Sequence, residues 1–79
     1  MITNAAVVDN ETGEIVNCIV VDENDLVNVS EGYSLVLEKT KGDIKFKGEE
    51  SKYDFKTKEF SHKERDENGT FEIVKRKSK

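Results

Sequence analysis

Proline and tryptophan are absent from this chain of 79 residues, and cysteine occurs once, at Cys18. A single cysteine excludes the internal disulfide framework that stabilises many small extracellular domains. No apolar run approaches the roughly 20 residues of a membrane-spanning helix, and the first residues lack the basic region of a signal peptide. These absences predict one small soluble domain that folds inside a cell and has no membrane partner.

Lysine and arginine are absent from residues 1–38, which contain eight Asp or Glu. Residues 39–79 contain nine acidic and all thirteen basic residues, so the formal charges of the two halves are −8 and +4. Of the 27 apolar residues, 19 lie in the first half. This pattern is typical of a core-forming half followed by a solvated half. The alternative is charge complementarity, either within the fold or between neighbouring copies.

Residues 5–8 and 15–21 consist of strand-forming residues, and a polar hexapeptide, DNETGE, separates them. In the second segment six of seven positions are β-branched or Cys, which favours a strand over a helix. Gly13 and the polar residues before it suit a hairpin loop that needs a positive φ angle. This part of the chain is therefore predicted to be a β-hairpin, at about residues 4–22, that forms the core.

A third strand is predicted at residues 33–38, where Tyr33, Leu35 and Leu37 share one face. The polar connection before it contains a few apolar residues. It is either a loop or one short helical turn near residues 24–29.

The second half of the chain has weaker strand patterns. Ile44 and Phe46 alternate with lysines, which is typical of an edge strand. The segment YDFKTKEF places a KTK turn between aromatic residues. Asn68 and Gly69 are the favoured pair for a type I′ hairpin and precede another apolar alternation.

Together these patterns predict an all-β or mostly β fold, a small antiparallel sheet built from hairpins. Residues 1–74 are expected to form a single domain, with the hairpin at 4–22 as its core. The basic segment at 75–79 is expected to be a loosely held tail.

Chemistry-bearing side chains are too few to indicate an enzyme. His62 and Cys18 are the only imidazole and thiol, 44 residues apart, whereas a zinc site needs several such ligands together. The acidic clusters lack the ligand spacing of a calcium loop, and the glycines are too scattered to hold a phosphate. The sequence therefore predicts no catalytic residue, no bound metal and no cofactor.

The charge distribution disfavours nucleic acid as a partner. Aromatic and basic residues alternate in the second half, as in platforms that stack single-stranded nucleic acid. However, nine acidic residues are mixed into the same segment and the whole chain carries a net charge of −4.

Three segments in order resemble small proteins of tailed bacteriophages. They are NAAVVDNETGEIVNCIVVDE, EGYSLVL and KYDFKTKEF, which together cover about half of the chain. The sequence departs from that pattern before Glu31, where it has DLVNVS in place of an expected Trp or Pro. The resemblance implies a small virion or tail-associated accessory protein, and no functional residue is carried over from it.

The expected function is that of a non-enzymatic phage structural accessory, either a capsid decoration or a tail- or fibre-associated subunit, stabilised by assembly. Its partners would be other virion proteins or copies of itself, and its place would be the virion, assembled in the host cytoplasm. The alternative is a soluble phage-encoded inhibitor of a host protein, whose acidic face imitates nucleic acid.

An interface is predicted because the strand at residues 15–21 is apolar on both faces. The second half of the chain has only eight apolar side chains, enough to cover one face of a small sheet but hardly both. A partner should therefore cover the other face. The predicted interface residues are Ile15, Val16, Ile19, Val20, Val21, Tyr33, Leu35 and Leu37.

Overall fold

Six β-strands build the protein in a computed structural model that describes residues 1–44 and 49–79. No helix occurs among these described residues, and both sheets are antiparallel, which confirms the predicted all-β class. The strands are β1 (Ile2–Asp9), β2 (Ile15–Asp22), β3 (Tyr33–Leu37), β4 (Glu49–Asp54), β5 (Glu59–Arg65) and β6 (Phe71–Lys77).

Two three-stranded sheets meet at both of their edges. The first sheet has the order β2-β1-β3 and the second the order β4-β5-β6. A single bridge between Glu14 and Lys52 joins β4 to the start of β2, and a bridge between Glu38 and Ser78 joins the ends of β3 and β6. The six strands therefore follow one another around an incomplete ring.

The core lies between the two sheets. It consists of Ala6, Val8, Ile15, Tyr53 and Phe60, with Val36 and Ile44 packed against it. The central strand β1 contributes small side chains and the second sheet contributes two aromatic rings, 5.0 Å apart between centroids. Since a buried Phe side chain contributes about 2–3 kcal/mol of hydrophobic stabilisation, these two rings account for much of what so small a core supplies.

Each hairpin turn begins with an aspartate that accepts backbone N–H groups of the turn, as Asx turns do. Asp9 accepts two such bonds at 2.8 and 3.3 Å, Asp54 two at the same distances, and Asp66 two at 2.9 and 2.8 Å. The first two turns are also alike at the fourth position after the aspartate. Gly13 and Lys58 lie there with φ angles of 75° and 58°.

Only one of these two positions requires glycine. The backbone N–H of Tyr53 donates to the carbonyl of Gly13 at 2.7 Å, so the β1–β2 turn lies against β4. A Cβ atom at Gly13 would lie 2.6 Å from the carbonyl oxygen of Tyr53. Lys58 shows that a side chain is compatible with the φ angle itself, at some cost in strain.

Two local expectations are wrong, and one alternative that the sequence left open is decided. The turn at Asn68 has a positive φ only at Gly69, and Gly69 donates to the carbonyl of Asp66. This is the geometry of a type I turn with a bulge, because a type I′ turn needs a positive φ at both central residues. Of the two alternatives for residues 24–29, the structure has the loop, with no helical turn. The basic segment at 75–79 is mostly strand, because Lys75, Arg76 and Lys77 pair with β5.

The other predicted strands agree with the structure where it describes them. The first hairpin and the third strand are present, and β1 is longer at its start than the sequence indicated, because Ile2 pairs with Asp22. The edge strand predicted around Ile44 and Phe46 lies outside the described residues, except for Ile44.

Replacing Gly13 by Ala should destabilise the protein far more than the same change at Gly69. Both positions carry a positive φ, which costs about 1 kcal/mol for alanine. Gly13 alone faces a backbone oxygen, whereas a Cβ at Gly69 meets nothing within 4 Å. Urea denaturation should therefore give a loss of about 3 kcal/mol or more for Gly13→Ala, against roughly 1 kcal/mol for Gly69→Ala. Equal losses would contradict the contact between the turn and β4.

Candidate interaction surface

The structure divides the eight predicted interface residues into separate groups. The protein's own chain buries Ile15 and Val21, at 6% and 4% exposure. Ile19, Leu35 and Leu37 are half-buried on the first sheet, and Tyr33 lies exposed at the start of β3. Val16 and Val20 are exposed, at 42% and 67%. The eight residues therefore do not form one continuous surface.

A bulge in β2 explains part of this division. Val8 pairs with Ile15 and Val7 pairs with Asn17, so Val16 is an extra residue on the outer strand. A bulge shifts the alternation of side chains, and it also twists an edge strand. Val16 is thereby exposed while Ile15 remains in the core.

Val20 lies on the inner face of the first sheet, beyond the part that the second sheet covers. Residues paired directly across an antiparallel ladder share a face, and Val20 pairs with Asn4. Ala6 and Val8 follow Asn4 on that face and pack under Tyr53 and Phe60. Ile2 precedes it and is 65% exposed. The inner face therefore opens at the end that Ile2 occupies.

A groove of about 390 Å³ occupies this open end. We call it the end groove, and we define it by Ile2, Asn4, Val20, Glu38, Lys39 and Lys41. Its floor is apolar at Ile2 and Val20, and its rim is basic at the two lysines, which are exposed.

Glu38 holds the rim of the end groove in place. Its side chain is buried, and its carboxylate accepts hydrogen bonds from Asn4 Nδ2 at 2.8 Å and from the backbone N–H groups of Gly42 and Ile44, each at 3.2 Å. A buried carboxylate is tolerated when donors surround it in this way. These bonds fix the chain from residue 39 to residue 44, and with it the backbone that carries both lysines.

An acidic turn borders the end groove. The N–H of Asp25 donates to the carbonyl of Asp22 at 3.0 Å, and Glu23 forms an ion pair with Lys79. The backbone N–H of Asn24 at 2.9 Å, together with the amino group of Met1 at 3.4 Å, lowers the pKa of the Asp22 carboxyl. The Asp22 carboxylate is therefore charged at neutral pH.

Cys18 is partly buried and His62 is buried, so neither side chain is freely exposed to solvent. Burial, and secondarily the charge of Glu38, raises the pKa of the Cys18 thiol, so the thiol is neutral at pH 7. His62 is buried, and its Nε2 lies 2.8 Å from Oε1 of Glu64. In residues 1–44 and 49–79, no group of three or more His, Cys, Asp or Glu is arranged to hold a metal ion.

Comparisons with family models, curated proteins and solved structures found no match for this chain. The described part of the chain contains no helix that is long and apolar enough to cross a membrane. The likeness to phage proteins therefore stays a prediction from the sequence.

Sequence reasoning identified Val20 but missed the rest of the end groove. Asn4 and Glu38 are far apart in the chain, and β1 brings them together, because the Glu38 N–H also donates to the carbonyl of Asn4. One signal was available: Glu38 is a charged residue that directly follows the apolar segment LVL.

Cys18 should react slowly with iodoacetamide at pH 8.5 in the folded protein, and severalfold faster in urea, because unfolding removes the burial that raises its pKa. Equal rates for folded and unfolded wild type would contradict a shielded thiol.

Proposed function

We propose that this chain is a non-enzymatic structural accessory of a phage particle, a capsid decoration or a tail- or fibre-associated subunit whose end groove is covered on assembly. One observation supports an assembly role: the apolar floor of the end groove is open, with Ile2 and Val20 about two-thirds exposed at 65% and 67%. The phage attribution rests on the sequence resemblance alone.

The energetic argument concerns the open floor. Covering the exposed part of Ile2 and Val20 recovers roughly 1 kcal/mol or more for each side chain, at about 25 cal/mol per Å². β-branched side chains on an open sheet face also promote unspecific association, which natural domains avoid. A partner on this surface thus both stabilises the fold and protects it.

The alternative function, an inhibitor that imitates nucleic acid, is supported less well. The exposed Glu11 and Glu31 lie near the β1–β2 turn, while Asp22, Glu23 and Asp25 lie at the opposite end of the first sheet. Two of these carboxylates are already paired with Lys79 or with the terminal amine. A nucleic-acid mimic needs a continuous line of free negative charges.

Val20→Lys should prevent incorporation into particles while leaving the isolated domain folded. The matched control is Ile73→Lys, because Ile73 is equally exposed, at 64%, on the second sheet. Both variants should unfold within about 1 kcal/mol of wild type, as expected for exposed positions. Quantitative mass spectrometry of purified particles should find wild type and Ile73→Lys at a fixed copy number, and Val20→Lys depleted at least about tenfold.

Absence of the wild-type chain from particles produced by the encoding phage would refute the structural role. Equal depletion of both variants would refute the role of the end groove specifically.

A further inference from the structure

We infer that the end groove of one copy binds the acidic turn of a second copy, residues 22–27, and that the reverse contact forms at the same time. The result is a two-fold symmetric dimer. This inference rests on the proposed function and names the first partner that covers the groove.

The groove offers an apolar floor and a basic rim. Ile2 and Val20 form the floor, and the exposed Lys39 and Lys41 form the rim. Glu38 lines the groove as well, but its side chain is buried and receives three hydrogen bonds within the chain. The exposed Lys39 and Lys41 therefore supply positive charge at the mouth of the groove.

The acidic turn offers the complementary chemistry. Asp25 is exposed, and Leu26 and Val27, which follow it, are each 51% exposed. No lysine or arginine occurs anywhere in residues 1–38, so the turn has no basic residue of its own. Two apolar side chains beside an exposed carboxylate match an apolar floor beside exposed lysines.

The position of the turn allows a two-fold symmetric arrangement. Glu23 itself lines the end groove and is paired with Lys79 at its wall, so the turn stands directly beside the groove. A projection next to a recess of complementary chemistry forms a self-complementary patch. When two such patches meet across a two-fold axis, each turn faces the other copy's groove, and both contacts close at once.

Paired charge reversals test this arrangement. The groove variant is Lys39→Glu with Lys41→Glu, and the turn variant is Asn24→Lys with Asp25→Lys; all four positions are exposed. Each variant alone should weaken dimerisation at least about tenfold in sedimentation equilibrium, because the contacts become repulsive. Mixed in equal amounts, the two variants should form a one-to-one heterodimer, since the acidic turn then meets a basic groove and the basic turn an acidic groove.

The control is Lys56→Glu with Lys75→Glu, which changes the net charge as much as the groove variant does, at exposed positions outside the groove. It should dimerise like wild type. Wild-type association should also weaken as salt is raised from about 0.05 to 0.5 M, a measurement that needs no variant.

A wild-type chain that stays monomeric at several hundred micromolar would overturn the inference, and so would a mixture of the two variants that stays monomeric although both are folded. If the control variant weakens dimerisation as much as the groove variant does, the effect is one of net charge, and the inference is overturned as well. Assemblies larger than a dimer in the mixture would refute the two-fold arrangement in favour of a head-to-tail contact. A monomeric chain that is still found in particles would leave the proposed function standing with a different partner.

Discussion

The contact between the β1–β2 turn and β4 is the constraint on which the rest of the structure depends. Gly13 receives the N–H of Tyr53 at 2.7 Å, and this bond sets the distance between the two sheets at one edge. The same contact places Val8 and Ile15, which flank the turn, beside Tyr53. The hydrogen bond and the core contacts therefore form together. Both require glycine at position 13, because a Cβ atom there would clash with the backbone of Tyr53.

The two halves of the chain contribute side chains of different size to one core. The first sheet supplies small and β-branched residues, with Ala6 and Val8 fully buried at its centre. The second sheet supplies large rings, Tyr53 and Phe60, on strands that are otherwise polar. Small residues on one side let large ones approach from the other, which is how interiors reach high packing density. A chain with 34% apolar residues can thus build a closed core, but this core does not extend to the end groove.

The local sequence pattern predicted the strands in which apolar and polar residues alternate clearly or β-branched residues are frequent. It failed for strands that form only because they pair with a neighbouring strand. β4 reads EESKYD and has no apolar alternation, so only its partner β5 makes it a strand. The basic residues of β6 are ordered for the same reason. The end groove was beyond prediction because it depends on Asn4, Val20 and Glu38, which meet only when β1 lies between β2 and β3.

The strand order also bears on how the chain folds. The second sheet is a meander of two hairpins with short turns, whereas β3 reaches β1 only through a connection that runs the length of the first sheet. Closing a short loop costs less entropy, so the meander is the part that can form earliest. It is also the part with few apolar residues, and a small sheet of this kind is marginal by itself. The folding barrier should therefore lie at the docking of the first hairpin onto Tyr53 and Phe60, where the rapidly formed sheet and the strongly hydrophobic one first stabilise each other.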